Sequence, residues 1–234
     1  IRLSLVGSEM CIRDRCERFD LSPATARRDL RSLADRGLVV RAHGGAVLVT
    51  PSVSELSVMQ RMSENRDSKD RIGRAAAALV SDGESIFLGS GSTTAYVARH
   101  LVARKNLTVV TNALNIATEL AAAPGVTVVV TGGMLRDSEL SLVGHITEQS
   151  LREVRVTRVI LGMAALSLDA GMTNDYLPEV MTDRKIIEMA PELTLVVDHT
   201  KFATRASAYV APLQRAHTIV TDAQTDREML EQIQ

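Results

Sequence analysis

From residue 71 onward the chain alternates between two hydrophobic periods. Segments 72–80, 93–101 and 113–123 carry apolar residues at helical spacing, while 85–89, 107–111 and 126–133 are short runs apolar on both faces. The series resumes with a helix near 147–154, a strand at 158–162, a long helix over 179–189, strands at 193–198 and 217–222, and a closing helix. Strands apolar on both faces must be covered on both, and helices between them supply the crossovers that parallel pairing needs. The pattern therefore predicts an α/β domain with a mainly parallel sheet over 71–234. Residues 50–70 are polar, with Val58, Met59 and Met62 at helical spacing, and read as a linker with one short helix.

The first fifty residues follow a different plan. Ser22 suits an N-cap, Pro23 the first helical position, and Leu21 is placed to staple onto Ala26. Leu30, Leu33 and Ala34 form one apolar stripe, which leaves Arg27, Arg28 and Arg31 on the other faces. Gly37 stops the helix, and 38–46 alternate apolar and polar residues up to a hairpin turn at Gly44-Gly45. Helix, turn and ribbon predict a winged helix-turn-helix over 16–49. Such a helix fits the major groove of duplex DNA, with Ser22, Ala24 and Thr25 at base edges and the arginines on phosphates or guanine. Arg41 and His43 make the wing basic.

Charge agrees weakly with this division: residues 1–50 hold nine basic and six acidic side chains, the remainder eighteen and twenty-two. A chain of 234 residues, 45% of them hydrophobic, can bury a sizeable core. No run approaches the roughly 18 apolar residues of a membrane span. No signal peptide is legible, so a cytoplasmic location and no membrane partner are expected. Cys11 and Cys16 are the only cysteines and acquire no role, and neither a metal nor another cofactor is expected. A winged helix needs two helices before the recognition helix. Residues 1–15, IRLSLVGSEMCIRDR, do not supply them and resemble a translated sequencing-adaptor remnant. They are expected to be non-native, leaving the head incomplete and the chain as written a poor DNA binder.

In a parallel sheet the ligand-binding edge is the one at the carboxyl ends of the strands. Four loops there carry chemistry. Residues 89–94, GSGSTT, follow a strand and open a helix, so free backbone N–H groups, the helix dipole and three hydroxyls can cradle a phosphate. The loop lacks the Lys of a Walker A sequence and the spacing of a dinucleotide fingerprint, which favours a small phosphate over a nucleotide. The others are Thr111-Asn112, Thr131-Gly132-Gly133 with Arg136 beyond, and 198–201.

Two stretches carry a family resemblance. ERFDLSPATARRDLRSLADRGLVVRAHGGA resembles the second half of the DNA-binding domain of DeoR-type bacterial transcriptional regulators. SIFLGSGSTTAYVARHL, LTVVTNALNIATEL, TGGMLRDSELSLVG and VVDHTKFA are similar, in order, to the effector domain of the same family, whose fold is related to ribose-5-phosphate isomerase and which senses phosphorylated sugars. The resemblance implies phosphate contacts at Gly91, Ser92, Thr93 and Thr94, and sugar-side contacts at Asn112, Gly133, Lys185, Asp198 and Lys201. It implies operator DNA, a phosphorylated sugar and a second copy of the chain as partners, in a dimer or tetramer. Ser90 stands where the family often has an acidic residue, and TNDYLPEVMTDRKII is expected to border the same pocket. The function expected is a repressor of a carbohydrate-catabolism operon. The alternative is a sugar-phosphate isomerase, with Asp198 or Glu179 as the carboxylate base.

Overall fold

The computed structural model describes residues 9–11, 22–26, 28, 39–42, 45–48 and 56–233. The chain divides into two compact units, Ile1–Glu55 and Leu56–Gln234.

In the first unit, residues 23–26 and Arg28 are helical. The Thr25 N–H donates to Ser22 Oγ at 3.2 Å and the Ala26 N–H to the Ser22 carbonyl at 3.0 Å, so Ser22 is the N-cap its position predicts. Ala26 is fully buried, whereas Ser22, Ala24 and Arg28 are exposed. Strands β1 (Glu9–Cys11), β2 (Val39–Ala42) and β3 (Gly45–Leu48) form an antiparallel sheet in the order β1-β3-β2. Ala42 pairs with Gly45, so Gly45, expected in the hairpin turn, stands at the start of β3. Within the stretch read as foreign, residues 9–11 pair with 45–47 as the sheet's third strand. Leu21, Arg27, Arg31, Gly37 and His43 lie outside the described residues, as do the stripe residues Leu30, Leu33 and Ala34.

The second unit begins earlier than the polar pattern suggested. Helices α1 (Val58–Arg61) and α2 (Arg66–Ala78) occupy much of the expected linker. A capping box starts α1: the Gln60 N–H donates to Ser57 Oγ at 3.3 Å, and the Ser57 N–H to Gln60 Oε1 at 3.0 Å. Val58 is fully buried, and Ser68 and Lys69 are nearly so. The one short helix expected from Val58 and Met59 is α1; the polar residues that follow belong to α2. The polar groups of α2 instead have partners inside the body: Lys69 with the Arg61 carbonyl, and Asp70 with His100 at 2.9 Å.

Next come β4 (Ser85–Leu88), α3 (Ser92–Leu101), β5 (Leu107–Thr111), α4 (Leu114–Ala121) and β6 (Val126–Val130). A hairpin follows, β7 (Met134–Arg136) and β8 (Ser141–Val143), then α5 (His145–Glu153), β9 (Arg158–Leu161), β10 (Ala165–Ser167) and β11 (Gly171–Asn174). The chain ends with α6 (Leu177–Glu188), β12 (Glu192–Val196), a 3₁₀ turn (His199–Lys201), β13 (Ala208–Ala211), β14 (Thr218–Val220) and α7 (Arg227–Ile233). Six strands form an all-parallel sheet in the order β14-β12-β9-β4-β5-β6, which is the predicted α/β class. Successive side chains point to opposite faces. Ile86, Leu88, Val109, Ile160 and Val196 pack with α2, α3 and α4, while Phe87, Val110, Val159, Leu161 and Leu195 pack with α5, α6 and α7. A small antiparallel sheet, β10-β11-β13, covers part of the second face. Its strands of three or four residues were too short to show a period in the sequence.

Candidate functional site

The sheet's order contains a reversal: β4, β5 and β6 are added in one direction, and β9, β12 and β14 in the other. Ligands of open α/β sheets bind in the crevice at the carboxyl ends of the strands flanking such a switch point, here β4 and β9. Gly162, just past β9, lies between the loops: a Cβ there would stand 3.7 Å from the Ser90 carbonyl oxygen, 3.8 Å from that of Val196 and 3.9 Å from Thr94 Cγ2.

Gly91 caps α3 with φ +134°, in the region that favours glycine, and offers no side chain to the first helical turn. Thr94 Oγ1 donates back to the Gly91 carbonyl at 2.9 Å, so of the three expected hydroxyls it is the one already engaged. Ser92 and Thr93 are 8% and 7% exposed. The turn thus presents unused backbone N–H groups and two hydroxyls at the positive end of a ten-residue helix.

Along the edge, Asn112 is 1% exposed; its Nδ2 donates to the Leu142 carbonyl at 3.2 Å, while its Oδ1 is buried with no partner among the described residues. Thr131, at the end of the adjacent strand, is 3% exposed and its hydroxyl also has no partner among them. Two orphaned oxygens at the ends of β5 and β6 are what a bound polyol would satisfy. Gly133 has φ +140°, and a Cβ there would meet Thr147 Oγ1 at 2.0 Å, so it serves close packing of the loop on α5.

Near the β4 loop stands a group of charges that the sequence reading saw only in part. Glu179, 6% exposed, accepts from Ser90 Oγ at 3.3 Å, Ser141 Oγ at 3.3 Å, Asn174 Nδ2 at 3.1 Å and the Arg136 guanidinium. The guanidinium also stacks 4.3 Å from the Tyr176 ring centre. Asp183, one turn along α6, accepts from Asn174 Nδ2 at 3.4 Å. Burial first, and then repulsion from Glu179, push the Asp183 carboxyl well above the usual carboxylate range. The unfolded chain ionises Asp183 as pH rises through 3.8, whereas the folded one keeps the proton. Stability present at acid pH is therefore lost as pH rises toward the folded value. Asp183→Asn should match the parent below pH 3.8 and be more stable than it near neutrality. Urea melts across this range check it, and equal stability at neutral pH would contradict it.

At the β12 end, Asp198 is buried and accepts from the Thr200 N–H at 3.0 Å, holding the turn that carries Lys201. Lys69 Nζ lies 3.8 Å from Asp198, and burial lowers the lysine's pKa despite that partner. Asp198 is thus a capping and pairing residue rather than a free contact. Burial raises Asp222 next door, but hydrogen bonds from Ser68 and His199 outweigh it and hold the carboxyl below its usual range.

Lys185 does not join this edge. It lies in the last turn of α6, six residues from Glu179 and so about 240° around the helix, and it pairs with Glu188 at 2.7 Å. The missed Asp183 is four residues from Glu179 on the same face, and that spacing was the available signal. As a general base Glu179 is encumbered by four donors and Asp198 by its cap and lysine, which disfavours the isomerase alternative. Among the described residues no group of His, Cys, Asp and Glu is placed to hold a metal ion. Likewise, no helix among them is long and apolar enough to cross a membrane.

Comparison with known proteins agrees with this division of labour. Residues 8–52 match the DeoR-like helix-turn-helix domain and residues 64–223 the DeoR C terminal sensor domain. The chain is 34% identical over 218 residues to the transcriptional repressor AccR of Agrobacterium fabrum, covering 93% of this chain and 84% of that one. It is 34% identical over 207 residues to the glycerol-3-phosphate regulon repressor of Escherichia coli, covering 88% and 82%. Ribose 5-phosphate isomerase A of Methanocaldococcus jannaschii superposes with a TM-score of 0.44 at 19% identity, over 60% of this chain and 56% of that one. With a DeoR-like DNA-binding domain joined to a sensor domain that accounts for most of its length, the chain belongs to the DeoR family of transcriptional regulators.

Proposed function

We propose that this regulator represses a carbohydrate-catabolism operon in the cytoplasm and is released from its operator by a phosphorylated sugar. The phosphate rests on the first-turn N–H groups of α3 with Gly91, Ser92, Thr93 and Thr94, and Lys201 neutralises it. The sugar extends past Asn112 toward Thr131. The observation that carries this is the uncapped α3 N-terminus at the switch point, beside the two orphaned oxygens of Asn112 and Thr131. The relatives' names support a sugar-linked repressor. Ser22, Ala24, Thr25, Arg27, Arg28, Arg31, Arg41 and His43 form the DNA surface, and Arg28 is exposed on its helix. A two-fold operator needs paired heads, which supports a homo-oligomer. So does the exposed apolar group Val129, Val130, Met134, Leu135 and Ile146 beside the edge strand β6.

The test is operator affinity of the chain and of its Arg28→Ala variant, both with a restored N-terminal head, with and without a panel of phosphosugars. Arg28→Ala should cost about 1–3 kcal/mol of operator binding, and one panel member should weaken binding of both proteins. An unchanged Arg28→Ala affinity would remove Arg28 from the interface. A panel without effect would refute the effector assignment.

A further inference from the structure

The first residues of the sensor unit, which continue covalently into the DNA-binding unit, are tied to three parts of the proposed site. The Val58 N–H donates to the Ser138 carbonyl at 2.7 Å, and the Arg61 guanidinium grips both carboxylate oxygens of Glu139. Ser138 and Glu139 belong to the β7–β8 turn, whose strands deliver Arg136 and Ser141 to Glu179. One residue past α1, the Met62 carbonyl accepts from the Tyr96 hydroxyl at 3.0 Å. Tyr96 is 3% exposed and sits on α3, one turn from Thr93. Lys69 Nζ donates to the Arg61 carbonyl at 2.6 Å and faces Asp198 at the end of β12.

We propose that α1 is the switch element of this regulator: it reads the separation between the phosphate-seat helix and the β7–β8 hairpin, and passes it to the head. This rests on the effector site proposed above. A helix of four residues is too short to hold its own conformation, so its placement is dictated by whatever pins it. Its pins stand on separate elements, the β7–β8 turn and the helix α3. A ligand that draws α3 toward the β7–β8 hairpin displaces Tyr96 relative to Glu139, and α1, held by both, reorients with them. The ligand acquires its preference for one state through this shift, which is the differential binding that coupling requires.

The experiment compares the full chain with Tyr96→Phe, which keeps the ring and removes one hydrogen bond, and with Tyr96→Phe/Arg61→Met, all three with a restored N-terminal head. The probes are glycerol 3-phosphate, fructose 6-phosphate and ribose 5-phosphate. Two readouts are taken: amide exchange by mass spectrometry, and affinity for an operator duplex selected from random-sequence DNA. In the wild type one probe should protect amides 92–95, alter exchange at 58–63 and change operator affinity by roughly 5–150-fold. In the double variant protection at 92–95 should persist, while the change at 58–63 disappears and the operator response falls below about 2-fold. Tyr96→Phe alone should move in the same direction. A double variant that keeps the full operator response with 92–95 still protected overturns the relay. So does loss of protection at 92–95 in both variants, which would make α1 part of the site's packing. A wild type in which no probe protects 92–95 overturns the effector site itself and the relay with it.

Discussion

Glu179→Ala is expected to destabilise the sensor unit by about 3–5 kcal/mol, the range for breaking a buried ion pair from one side. Both partners are about 7% exposed, so little solvent screening discounts the figure. Alanine would withdraw the acceptor from Arg136, Ser90, Ser141 and Asn174 together. One effect opposes this. In the parent, Glu179 helps keep Asp183 protonated, while Arg136 pulls its pKa the other way. With Glu179 gone, one of the causes that keep Asp183 protonated is removed, and its carboxyl ionises more readily beside Arg136. The opposition is partial, because Asp183 sits a turn away and burial remains the largest cause of its shift. Asp183→Asn, stabilising near neutral pH in the parent, should stabilise less in the Glu179→Ala background. Urea melts of the four proteins of this cycle measure it. A single-variant loss below about 1 kcal/mol, or an Asp183→Asn effect of the same size in both backgrounds, would show that Glu179 is not the centre of the cluster.

The difference between Asp183 and Lys185 shows how far such a site can be read from sequence. The parallel sheet was legible because 85–89, 107–111 and 158–162 are continuous apolar runs, and only burial on both faces selects those. The phosphate seat was legible for a local reason: a glycine-rich turn between a strand and a helix fixes its own geometry. The carboxylate cluster was not, because its members come from β7, β8, β11, α6 and the β4 loop, and only the fold brings them together. Side-chain direction along α6 was needed to prefer Asp183 over Lys185, and the sequence contains it only once the buried face is known. The same limit hid the start of the body. Lys69 and Asp70 look like linker residues until Asp198 and His100 are placed beside them.

Thr93→Ala combined with Lys201→Ala should leave operator binding nearly intact and abolish its response to the phosphosugar. The two residues stand at the ends of different strands, with β9 between β4 and β12, so roughly 10 Å separates the strands that carry them. A phosphate held by both bridges the switch point; held by one, it bridges nothing. Each substitution alone should weaken the ligand, since the backbone N–H groups of α3 survive Thr93→Ala and Lys201→Ala removes only a charge. Together they remove a hydroxyl at the seat and the cation across the crevice, and with them the reason for the two loops to approach. Coupling between two sites is commonly 1–3 kcal/mol, a margin that the loss of two contacts to a doubly charged group can erase. Neither side chain has a partner whose burial would be orphaned, so folding should change little. Operator affinity with and without phosphosugar, in the parent and in the double variant, both carrying a restored N-terminal head, decides the matter. Full coupling in the double variant would place the phosphate elsewhere on the carboxyl edge. Loss of operator binding without any ligand would mean that the two residues hold the resting state rather than the effector.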